Sequence, residues 1–187
     1  MFGANNQELP EGKNYITFGI HNVEIVSLSM TDDNQNFDLE LKNVGAEDSD
    51  SSNFRFFING DDKAKNSQMR RFYEIVEAVD PALTKIAAAS LPEYIALLAP
   101  KMKGKQYVQK FRGQQNAADS PYWARIPNSM KNKRNPEPTI ACAIGTEPPF
   151  TFDKSNEWDY RPFQGAAATV DMSSASDSAD VDAEWED

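Results

Sequence analysis

The sequence predicts a mainly β protein with a helical insertion between its third and fourth strands, and three observations carry that reading. Between Tyr15 and Ile58 apolar and polar residues alternate over three successive stretches, the period of half-buried strands. The period then lengthens: Met69, Phe72, Val76, Val79, Leu83 and Ile86 are spaced three or four apart, one stripe of a helix. After Gly104 strand signals return, so the expected order is three strands, helix, three strands.

The first strand spans Tyr15 to Met30, and the slip in phase between Ile20 and Val23 predicts a bulge there. "TDDNQN" is turn chemistry, and Phe37, Leu39 and Leu41 alternating with Asp38, Glu40 and Lys42 complete a hairpin. A polar loop, "GAEDSDSS", leads to a third strand in which Phe54, Phe56 and Ile58 alternate with Arg55 and Phe57. The insertion covers residues 63–100. Asp80 before Pro81 has the form of an N-cap with proline at the first helical position, so the helix divides or kinks there. A short helix follows from Leu91 to Ala99, ending at Pro100. "GKQYVQKFRG", "PYWARIP" and "TIACAIG" supply the later strands.

Residues 1–13 form a flexible lead-in and 14–163 the folded domain. Residues 164–187, rich in Ala, Ser and Asp, cannot bury enough apolar surface to offset the entropy of ordering, so they are expected to be a disordered acidic tail. With 40% apolar residues the remainder can build a core. No apolar run reaches the roughly 18 residues of a membrane span, and "MFGANNQELPEGKNY" lacks the basic and apolar regions of a signal peptide. A soluble, cytoplasmic protein is expected.

One cysteine, Cys142, and one histidine, His21, exclude a disulfide framework and a Cys/His zinc site within one chain. Cys142 reads as a buried thiol. Catalytic triads could only be built around His21, which lies in a strand pattern without a nucleophile motif, and no phosphate-cradling glycine motif is present. One enzymatic constellation remains: Asp32 or Asp33 in a turn before a strand bearing Glu40 and Lys42, a set that could hold Mg²⁺ and orient a water. The three residues resemble the core of restriction-type nucleases, but Asp38, Glu40 and Lys42 read first as the solvated face of a half-buried strand, where charges are common.

The net charge of −10 conceals a strong asymmetry. Residues 63–134 carry 14 bases and 5 acids, whereas residues 171–187 carry 7 acids and no base. Lys101 to Arg134 holds nine bases against the single acid Asp119, interleaved with aromatics. Such a pattern suits single-stranded nucleic acid, whose phosphates need cations and whose unstacked bases need flat rings; each stacked base contributes about 1–3 kcal/mol whatever its identity. Lys101, Lys103, Lys105, Lys110, Arg112 and Arg125 are the phosphate-pairing candidates, and Tyr107, Phe111, Tyr122 and Trp123 the stacking candidates. Strand alternation puts Tyr107 and Phe111 on one face and Val108, Lys110 and Arg112 on the other, without saying which is core. Trp123 fits a core position equally well, and "KNKR" (131–134) is either a phosphate-gripping loop or a solubilising turn.

Three strands, a helical insertion and further strands, with the bases and rings concentrated after the helix, resemble the order of an OB-fold, a five-stranded Greek-key barrel. Together with the tail "DSADVDAEWED", the chain resembles a bacteriophage single-stranded DNA-binding protein. The resemblance implies a non-enzymatic protein that coats single-stranded DNA in replication, recombination or repair, needs no cofactor or metal, and acts in the bacterial host cytoplasm. It also implies that the tail, with Asp180, Asp182, Glu184, Trp185, Glu186 and Asp187, competes with DNA for the basic groove and recruits a polymerase, helicase or nuclease. Bacterial relatives of that type end in Pro-Phe; this chain ends Glu-Trp-Glu-Asp, closer to the phage type. The alternatives are the Mg²⁺ nuclease and an adaptor whose basic patch binds an acidic protein.

Overall fold

The computed structural model describes residues 15–45, 51–129 and 139–163. The lead-in, the "KNKR" segment and the tail from residue 164 lie outside the described residues. Among the described residues seven strands form one mostly antiparallel sheet whose path runs β3-β2-β1-β4-β5: β1 Gly19–Met30, β2 Asn36–Asn43, β3 Ser51–Phe57, β4 Gln106–Gln114 and β5 Trp123–Arg125. Two short strands, β6 Ala141–Ala143 and β7 Tyr160–Arg161, add to β4, the latter in parallel. β3 and β5 end the path, and no pairing joins them among the described residues.

β1 is long enough to serve two partners. Gly19 to Glu24 pairs with β4, and Val23 to Met30 pairs with β2. The expected bulge is present but lies between Ile25 and Ser27. Ile20 points outward in an unbroken alternation that buries Val23 and Ile25, so its apparent slip is an exposed isoleucine. The bulge falls where the α2–β4 turn docks, with Ile25 N–H donating to Lys105 O (3.0 Å) and Gly104 N–H to Ile25 O (2.8 Å).

The insertion holds α1 Asp62–Val79, a 3-10 turn Pro81–Lys85 and α2 Leu91–Met102. Asp61 caps α1 through Ala64 N–H, and Asp80 caps the 3-10 turn through Ala82 N–H with Pro81 at its start, the break the sequence predicts. α2 continues to Met102, three residues past Ala99: Pro100 sits within the last turn, where the fully buried Leu98 and Met102 anchor the helix in the core. Phe72, Ile75 and Val76 of α1 close over Phe37 and Phe56, whose rings stack at 4.8 Å, with Phe72 edge-on to both. Cys142 is buried and free. No helix among the described residues is long and apolar enough to cross a membrane.

Candidate nucleic-acid interface

The two faces of β4 decide the site. Tyr107 and Phe111 are fully buried, Phe111 stacked on Phe54 at 5.2 Å and flanked by His21. They are core, which removes both from the stacking candidates. The reason is geometric: β4 is central, so the face that meets α1 and β1–β3 must be the bulkier apolar one. The outer face carries Lys110, Arg112 and Gln114, continued by Arg125 and Trp123, since Arg112 stands opposite Arg125 and Gln114 opposite Trp123 in register. Trp123 is 41% exposed there.

Between β5 and the free edge of β3 runs a groove of about 480 Å³. One wall presents the outward residues of β3, Asn53, Arg55 and Phe57, the last 49% exposed; the other presents Trp123 and Arg125. Arg71 of α1 forms part of the floor. Its Nη1 donates to Ile126 O at 2.8 Å, and its Nε is buried without a partner among the described residues. Burial, with Arg125 adding repulsion, pushes the Arg71 guanidinium down to about 10. The same causes act on Arg112: burial first, then Arg161, with a smaller push from Arg125 and an opposing pull from Asp159.

The segment from Phe150 to Phe163 forms a strap that ends alongside β4, where Gly113 N–H donates to Asp159 O and Gln115 N–H to Arg161 O. Asp159 is buried, pairs with Lys110 Nζ at 2.5 Å and accepts from Asp153 N–H at 2.9 Å. Glu157 O accepts from Arg112 Nη2 at 3.0 Å. Tyr160 stacks on Tyr122 at 4.2 Å, and both rings pack beside Phe18. A Cβ at Gly113 would lie 2.8 Å from the Tyr160 ring, so only glycine lets the strap lie this close.

The sequence-predicted set thus divides. Arg112, Trp123 and Arg125 come together on the outer face. Tyr122 is half-buried within the strap's aromatic cluster rather than presented as a free ring. Lys110 is held by Asp159 and is not a free cation. Lys101, Lys103 and Lys105 are exposed at the α2–β4 turn, outside the groove lining. Lys105 precedes Arg112 by seven residues, about 24 Å along an extended strand at roughly 3.4 Å per residue. The reading missed Arg55, Phe57 and Arg71. The first two carried a signal, since they share the phase of β3 opposite the core residues Phe54 and Phe56; Arg71 carried none, because only tertiary packing brings α1 to β5.

The side chains of the nuclease constellation have partners of their own. Asp33 accepts from Thr31 Oγ1 and Gln35 N–H and so shapes its own turn, Glu40 accepts from Ser27 Oγ, and Lys42 pairs with Glu24 at 2.9 Å. Among the described residues no group of three His, Cys, Asp or Glu is placed to hold a metal. No protein-family model matches this sequence, and no similar chain is found among curated proteins.

Proposed function

We propose that this protein binds single-stranded DNA, without strong sequence preference, along the outer face of β4–β5 and the groove beside β3. The observation that carries the reading is Arg112 set directly opposite Arg125 beside the exposed Trp123, with Arg71 behind. Like charges facing each other across strands work against the fold. A polyanion relieves that repulsion by pairing with the guanidinium groups. Trp123 and Phe57 offer stacking faces on opposite walls, which hold bases irrespective of identity. The reading is of an OB-fold binder: the order β3-β2-β1-β4, with β1 shared between two partners and the helices between β3 and β4, fits that architecture. By resemblance to the phage proteins the role is in DNA replication or recombination, with the acidic tail recruiting replication enzymes and no catalytic step.

The test is tryptophan emission titrated with oligo-dT at two salt concentrations, repeated on Trp123→Phe. Quenching that is reduced in the variant, with affinity falling as salt rises at a slope of roughly −0.7 per phosphate contacted, supports the reading. Absence of any binding at low salt overturns it.

A further inference from the structure

We infer that Trp158, on the strap, is a second base-stacking platform, so that single-stranded nucleic acid is held by a tryptophan on each side of the Arg112–Arg125 pair. The inference rests on the nucleic-acid reading above and deepens it.

Trp158 is 58% exposed, the most exposed large apolar side chain among the described residues. Exposure of a large ring on a mobile loop would carry little meaning, but this one is held. Its own N–H donates to Asn156 Oδ1 at 3.0 Å, and the N–H groups of Asp159 and Tyr160 both donate to Asn156 O at 2.9 Å. The residues on either side are tied to the outer face of β4: Glu157 through its carbonyl to Arg112, and Asp159 through its carboxylate to Lys110. The ring lines a small cleft with Lys110, Arg112 and Asp159. Two neighbours of one residue fastened to two cations of one strand fix the backbone that carries the ring before any ligand arrives, and such preorganisation lowers the ordering cost of binding.

Arg112 then has the strap tryptophan on one side and the β5 pair Arg125 and Trp123 on the other. A chain of alternating phosphates and bases fits a ring, a guanidinium pair and a ring in that order. Lys110, neutralised by Asp159, fastens the platform and does not contact phosphate in this arrangement.

The experiment uses the full chain with Trp123 and Trp185 replaced by Phe, leaving Trp158 as the only emitter. Oligo-dT should quench its emission. In the otherwise native chain, Trp158→Ala should weaken oligo-dT binding about tenfold, with the salt slope unchanged, because stacking releases no counterions. Trp158 emission that stays constant at saturating oligo-dT, or native affinity in Trp158→Ala, overturns the inference while leaving the Trp123 site intact. If the native protein fails to bind oligo-dT at low salt, the nucleic-acid reading itself falls and the inference with it.

Discussion

The two halves of the sheet treat charge in opposite ways. On the outer face of β1–β3 the charges have counterparts: Lys42 pairs with Glu24, Arg55 makes two 2.8 Å bonds to Asp38, and Ser27 donates to Glu40. On β4–β5 two arginines face each other in register, and a third, from α1, adds to their repulsion. The pleat and the spacing are the same in both halves, so geometry alone does not explain the contrast. The difference teaches that positive charge is concentrated where the sheet also exposes aromatic rings, which is the combination a flexible polyanion needs.

The largest effect expected on breaking that comparison lies on the inner side of β4. Phe111→Ala should lower stability by about 3–5 kcal/mol, the usual cost of emptying a buried aromatic site, measured by urea denaturation. A variant as stable as the native protein that loses only oligo-dT binding would return Phe111 to the stacking role first considered for it. Arg125→Ala, on the outer side, should weaken oligo-dT binding severalfold and lower the salt slope by about 0.7. Its melting temperature should hold or rise, because one of two facing like charges is gone. A lower melting temperature with the slope intact would assign Arg125 to the fold instead.

Deleting residues 171–187 sharpens the comparison from the acidic side. Affinity for oligo-dT should rise at low salt, with the gain shrinking as salt screens the tail. Equal affinity at low salt would remove the tail as a competitor. The smallest effect concerns Asp38, whose carboxyl the Arg55 bond holds below its ordinary 3.8. A depressed folded value stabilises above the unfolded value, and the contribution is lost as pH falls through the folded one. Asp38→Asn should therefore flatten the stability profile below about pH 4 and, by freeing Arg55 into the groove, tighten oligo-dT binding slightly.

Much of the fold was legible because period is local. Alternation located β1 to β4, the stripe from Met69 located α1, and Asp80-Pro81 located the break after it. β7 was not legible, since two residues make no period and its pairing depends on a strap that packs through Tyr160 and Asp159. The site was half legible. Trp123 and Arg125 stood out as an aromatic and a base in phase on one short strand, while Lys101, Lys103 and Lys105 belonged to the same basic run and ended far from it, because β4 carries the chain away.

By itself the sequence determined the elements, the placement of the insertion and the unequal distribution of charge, all of which follow from neighbours along the chain. It did not determine which face of β4 is core, since Val108 and Phe111 are both apolar and alternate in opposite phase. Only the tertiary structure decided that, by stacking Phe54 on Phe111 and tying the strap to Lys110 and Arg112. Those contacts join residues distant in sequence, and their energy depends on shapes that no single segment encodes.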